Sequence, residues 1–401
     1  ETVPPISTPT DAGAAGAWYA SGNVTTGDVA TAGIFGKGTI TNTLKGQIQV
    51  TGTKIWKDEN RTSRPSDITL TLYRWSDRSS EVNREEVTTA NVPAMTLTWD
   101  KTNTNEWKYT YSNLPQFDSY GALYHYKVEE TTPAHYRTEY KDALGREIHN
   151  LGLVTVHVEK KWEAENSAQK EITVGIYRTT ELTIPADSSE DGTVSSEFIG
   201  RVTLNSGNNW KWSGDSLHGT TFDQRTYGEA EEKPYLYYAR ELQIGSTGVP
   251  AGKAGRLVEA DGYRYAVKEE MIPSALTADQ AVPDSMTTVI TNTQLTDLTV
   301  VKNWMDNHNQ YNTRPDTPDD LELTLYRKAE GDTDFTKLTD TELTGITVEK
   351  TAGTGAEVNR WTYTWKNLPA TDQNGKSYTY YVWETVPAVS YTHLTLPTIC
   401  S

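Results

Sequence analysis

Cysteine is all but missing from this chain of 401 residues, with only Cys400 near its end. A lone thiol closes no internal disulfide, so the fold must be held by core burial or by another kind of crosslink. Long apolar runs are missing too, and none approaches the roughly 18 residues that cross a bilayer. Positive charge is in the minority: 37 Lys and Arg stand against 54 Asp and Glu, for a net charge of −17. That balance excludes the basic footprint a nucleic-acid partner requires. There is no Gly-rich phosphate loop, Gly-x-Ser-x-Gly elbow or Cys/His dyad, so nothing points to a turnover enzyme. The histidines (His125, His149, His157 and His218 among them) lack zinc spacing. The acidic loops Lys57 to Asn60 and Asp316 to Asp320 lack the EF-hand pattern and read as solvated turns, so no metal or cofactor is expected. With neither an initiator Met nor an apolar leader at Glu1, the chain reads as a fragment or a processed form.

Helical periodicity is also scarce, whereas strand-favouring residues are abundant. Segments such as Ile68 to Tyr73 and Trp107 to Tyr111 alternate apolar and polar residues, and 12 Trp and 23 Tyr supply several small cores. The sequence repeats itself. VTGTKIWKDENRTSRPSDITLTLYRW, NEWKYTYSNLPQFDSYG and YHYKVEETTPAHY reappear as LTVVKNWMDNHNQYNTRPDTPDDLELTLYRK, NRWTYTWKNLPATDQNG and YTYYVWETVPAVSY. A middle copy keeps VEKKW, ITVGIYR, NNWKW, YRYAVKEE and VITNT, with an insertion around Gly214 to Gly255. Units of about 100 residues with short strands and frequent turns predict an all-β fold of tandem immunoglobulin-like sandwiches. The division runs 1–45 (the end of a preceding repeat), 46–151, 152–294 (with the insertion), 295–391 and an aberrant tail, 392–401. Trp56, Trp107, Trp162, Trp304 and Trp361 recur with the repeat and read as core.

One combination recurs with it. Lys54, Lys160 and Lys302 each precede a tryptophan by two residues; Glu130, Glu269 and Glu384 each end a Tyr-x-Val-x-Glu run; Asn42, Asn150 and Asn292 close repeats. Amine, carboxyl and carboxamide are the groups a side-chain amide crosslink needs. Burial would deprotonate the amine. A neutral carboxylic acid would shuttle protons to the departing ammonia, and the fold would hold the partners at contact. Strand parity places Tyr126, Val128 and Glu130 on one face, and likewise Tyr265, Val267 and Glu269, and Tyr380, Val382 and Glu384, so each glutamate points where a core would be. The residues alone also admit exposed Lys–Glu pairs on a solvated sheet face.

The words KxW-D, RP-x-x-ITLTLYR, W-x-YT-x-x-NLP, Y-x-V-x-E and ITNT resemble the B-type (CnaB-like) repeat domain of Gram-positive surface adhesins and pilins, over about Gly46 to Tyr391. The resemblance implies a prealbumin-like sandwich closed by an autocatalytic Lys–Asn isopeptide bond, assisted by a buried glutamate. Carried over by position, Lys54 joins Asn150 with Glu130, and Lys160 joins Asn292 with Glu269. Lys302 with Glu384 lacks an asparagine, and Asn42 belongs to a lost repeat, so both are expected to be unbonded. EIHNLG replaces ITNT at Asn150, and Glu129 competes with Glu130 should the register shift by one. The middle repeat lacks the NLP phrase. The tail continues no repeat pattern, and its LPTI departs from the Leu-Pro-x-Thr-Gly sorting signal. The expected role is a non-enzymatic stalk segment on a Gram-positive cell wall, its neighbours being repeats of the same chain and any host or matrix ligand lying with missing domains. Two rival roles are a carbohydrate- or host-ligand-binding module using Trp18, Trp75 or Trp99, and an accessory region of an enzyme.

Overall fold

The computed structural model describes residues 19–21, 42–59, 61–185, 196–250, 256–277 and 281–385. The side chains of Trp18 and Asn42, together with Cys400 and the tail 392–401, lie outside the described residues. The described regular elements are strands and single 3-10 turns, as the alternating pattern predicts. They group into two compact units. One comprises Glu1–Thr155, Thr221–Pro234 and Ala281–Asp284; the other comprises Val156–Thr220, Tyr235–Gln280 and Ser285–Ser401.

In the first unit a five-stranded sheet runs Thr96–Asp100, Glu106–Pro115, Gln47–Lys57, Glu147–Gly152, Tyr136–Tyr140. A smaller sheet runs Glu85–Glu86, Leu70–Ser76, Tyr124–Glu130. Val50, Tyr109, Tyr111, Leu114 and Ile148 from the first meet Leu72, Tyr126 and Val128 from the second in one buried cluster, which makes the pair of sheets a sandwich. At Gly52 a β-carbon would fall 2.1 Å from the Tyr109 hydroxyl, so the missing side chain is what lets that ring lie across the strand. The Asn42–Leu44 strand pairs antiparallel with Tyr19–Ser21.

In the second unit the main sheet runs Lys211–Gly214, Thr155–Glu163, Ser285–Asn303, Tyr263–Ile272, Arg256–Ala260. The strand Ser285–Asn303 is 19 residues long. Residues 287–295 pair with Tyr263–Ile272 and residues 295–303 with Arg360–Pro369, so one continuous strand ends the middle repeat and begins the last. Two small sheets accompany it: Glu197–Leu204, Ile172–Thr179, Leu236–Ile244, Thr247–Gly248, and Thr336–Lys337, Leu323–Ala329, Tyr378–Glu384. Leu325, Trp361, Tyr363, Trp365 and Leu368 form the core of the last repeat.

The pairing order equates strands between repeats. Thr155–Glu163 stands where Gln47–Lys57 stands, and Ile172–Thr179 where Leu70–Ser76 does. Leu236–Ile244 takes the place of Tyr124–Glu130, and Tyr263–Ile272 that of Tyr136–Tyr140. Residues 236–244, which the sequence assigns to an insertion, are therefore a core strand of the middle repeat, with Leu236, Tyr237, Tyr238 and Ala239 buried.

Candidate functional site

Lys54 and Asn150 sit on neighbouring parallel strands, Lys54 opposite Ile148 and Asn150 opposite Trp56. Both side chains turn inward because Val50, Lys54 and Trp56 share one face, as do Ile148 and Asn150. Glu130, the last residue of its strand in the facing sheet, meets them. Its Oε2 lies 2.9 Å from the Lys54 amine, and its Oε1 accepts a 2.8 Å hydrogen bond from Asn150 Nδ2. The Lys54 and Glu130 side chains are wholly shielded from solvent. Burial lowers the Lys54 amine to about 8, against the opposing pull of Glu130. Burial likewise pushes the Glu130 carboxyl up, against Lys54 and Asn150. Both shifts favour the uncharged forms. The Trp56 ring, with its centroid 4.9 Å from the amine, walls the site. Tyr140 accepts the Glu130 backbone N–H at 2.7 Å, and Thr138 donates to Asn150 Oδ1 at 2.9 Å. Glu129, the competitor in the sequence, faces outward to Arg84, which donates to it at 2.8 Å.

The middle repeat builds a second cluster, with a correction. The carboxyl that meets Lys160 and Asn292 is that of Glu241, not Glu269. Glu241 Oε1 lies 3.5 Å from the Lys160 amine and accepts from Asn292 Nδ2 at 3.0 Å. Lys160 and Glu241 are fully buried; burial lowers the amine to about 8 and raises the carboxyl. The Trp162 ring covers the amine at 4.2 Å. Glu269 instead accepts from Arg240 at 2.6 Å, from Arg256, and from the Glu241 backbone N–H at 2.8 Å. Glu269 pairs across the sheet with Ile290, as Tyr140 does with Ile148. It therefore occupies the place of Tyr140 and accepts from the backbone of the buried Glu241. The signal for Glu241 was in the sequence: Tyr237-x-Ala239-x-Glu241 repeats the spacing of Tyr126-x-Val128-x-Glu130 with an alanine for the valine.

In the last repeat Lys302 and Glu384 meet at 2.7 and 2.9 Å, but their side chains keep 27% and 28% of their exposure, and no asparagine joins them among the described residues. Among the described residues, no shielding strand stands beside Lys302 as Glu147–Gly152 does beside Lys54. Of the tryptophans weighed as ligand platforms, Trp99 packs edge-on against Trp107 and Tyr109, and Trp75 stacks on His125. Trp56, Trp107, Trp162 and Trp361 are buried. Asp58 is engaged by Arg64 and by the Tyr136 hydroxyl, each at 2.8 Å.

The sandwiches and their inward Lys–Glu–Asn clusters define a class of all-β repeat domain with a buried polar triad. The Cna protein B-type domain matches residues 50–151 and 298–398, and the chain belongs to that family. It is 25% identical over 413 residues to a collagen adhesin of Staphylococcus aureus; the match takes in 88% of this chain and 31% of that protein, so the chain spans about a third of that relative. Among solved structures it is similar to a single B repeat unit of the collagen-binding surface protein of Staphylococcus aureus, with 20% identity, 62% of this chain, 98% of that one and a TM-score of 0.18. The major pilin of Streptococcus pyogenes gives 14% identity, 61% and 97% coverage and a TM-score of 0.19.

Proposed function

We propose that this chain is a stalk segment of an adhesin- or pilin-like protein on the wall of a Gram-positive bacterium, and that two of its repeats lock themselves with isopeptide bonds. The observation that carries the reading is the shielded cluster Lys54–Glu130–Asn150, in which one carboxyl touches both the amine and the carboxamide nitrogen. Charges buried this deeply cost several kcal/mol each, a poor choice for stability alone and a useful one for reactivity.

The chemistry follows from the two contacts. Glu130 Oε2 takes a proton from Lys54, leaving a neutral amine whose lone pair attacks Asn150 Cγ. Its Oε1 side then delivers a proton to Nδ2. A C–N bond forms, the former amine gives its second proton to the Glu130 carboxylate, the Cγ–Nδ2 bond breaks and ammonia leaves; the carboxyl, which began ionised, ends holding the one proton left over. Glu241 does the same for Lys160 and Asn292. Each glutamate acts once within its own repeat, so this is self-modification rather than turnover. Attachment to the wall and any host or matrix ligand belong to the same proposal, by analogy with the adhesin and pilin relatives.

Proteolysis followed by tandem mass spectrometry tests the bonds. Branched peptides joining Lys54 to Asn150 and Lys160 to Asn292 are expected; recovery of both pairs only as linear peptides would refute the reading.

A further inference from the structure

The attack of an amine on a carboxamide places negative charge on the amide oxygen, and that charge needs a donor in a site closed to water. In the first cluster Asn150 Nδ2 faces Glu130, so Oδ1 faces the other way, where Thr138 donates to it at 2.9 Å. Thr138 comes from the strand Tyr136–Tyr140 and lies directly opposite Asn150 in the pairing. The same position in the middle repeat, opposite Asn292, is Val267, which has nothing to donate. Asn292 Oδ1 is buried with no hydrogen-bond partner among the described residues.

Resting on the isopeptide reading above, we infer that Thr138 is a catalytic residue of the first repeat, its hydroxyl stabilising the oxyanion at Asn150, and that its replacement by Val267 makes the middle repeat the slower of the two to lock. The roles divide cleanly: Glu130 handles the protons of nucleophile and leaving group, and Thr138 handles the charge on oxygen. Neither bond nor proton count changes; the hydroxyl shortens its hydrogen bond as charge develops and relaxes when the carbonyl re-forms.

The test is a time course of ammonia loss on freshly translated full-length chain, with each bond followed by its branched peptide. In the unaltered chain the Lys54–Asn150 peptide should form faster than the Lys160–Asn292 peptide. Thr138→Val should slow the first bond roughly a hundredfold, the scale of losing one oxyanion donor. The second bond, in the same molecule, should keep its rate and so report that the chain has folded. Thr138→Ser should restore the first, and Val267→Thr should speed the second. A slowed first bond whose pH profile stays in place marks a role in charge stabilisation rather than in holding Glu130. Equal rates for Thr138→Val and the unaltered chain would overturn the assignment to Thr138 while leaving the crosslink intact. If the unaltered chain loses no ammonia, the isopeptide reading itself fails, and this inference with it.

Discussion

At Lys54 and Lys160 the fold keeps amines in places where a charged group is costly, and each amine is drawn down to about 8 from an ordinary value of 10.5. The partner carboxyls are driven the opposite way by the same burial. A neutral amine beside a neutral acid holds as many protons as the ion pair, so the reactive form is a tautomer of the singly protonated pair. Its share is constant across the pH range in which the pair carries one proton. It falls above about 8, where the last proton leaves and nothing remains to protonate the departing ammonia. Locking rates should therefore be flat only where the pair holds one proton, falling at acid pH where the raised carboxyls take up a second proton and declining roughly tenfold per pH unit well above about 8; a rate still rising with pH at 9 would contradict this. Glu241→Gln should abolish the Lys160–Asn292 bond and spare the Lys54–Asn150 bond. Glu269→Gln should leave both bonds forming but lower the melting temperature, because Arg240 and Arg256 lose the carboxylate they share. The reverse result in branched-peptide mapping would return the catalytic role to Glu269.

Strands set these geometries, and turns set the strands. Gly145 carries a φ of +73°, and a β-carbon there would lie 2.0 Å from the Val128 carbonyl oxygen. Gly145→Ala should cost about 2 to 3 kcal/mol, from left-handed strain plus a backbone clash, read by chemical denaturation of a chain also carrying Lys54→Ala. An unchanged midpoint would show that the turn can rearrange. Much of this level was legible in the sequence. Period-two alternation gave the strands, and parity put Glu130 on an inward face, while Lys54 and Asn150 were picked out by their recurrence with the repeat. The miss at Glu241 has a specific cause: two strands of the middle repeat carry a Tyr-x-apolar-x-Glu run, and the one with valine matched the other repeats better. Only the pairing of Leu236–Ile244 with Ile172–Thr179 tells them apart, and a long-range register is not written in local pattern. Thr138 was invisible for a similar reason, since its importance comes from the residue opposite it.

For the molecule as a whole, a bond from Lys54 to Asn150 closes a loop of about 100 residues, and one from Lys160 to Asn292 a longer loop. By analogy with disulfides each removes about 4 to 5 kcal/mol of unfolded-state entropy. Under tension the chain between the bonded residues is bypassed. Pulling on single molecules should therefore release no length from residues 54–150 in the unaltered chain, and roughly 300 Å from them in Lys54→Ala. The stretch from Lys302 to Glu384, with a partly exposed ion pair and no asparagine beside it among the described residues, should extend in both. Equal extension of 54–150 in the two chains would mean that the first repeat is not locked.

The intact mass of the purified chain tests the central claim most directly. Two condensations predict a deficit of two ammonia molecules, about 34 Da, reduced to about 17 Da in Lys54→Ala or Lys160→Ala and to nothing in the double variant. A mass equal to that of the sequence would contradict the account.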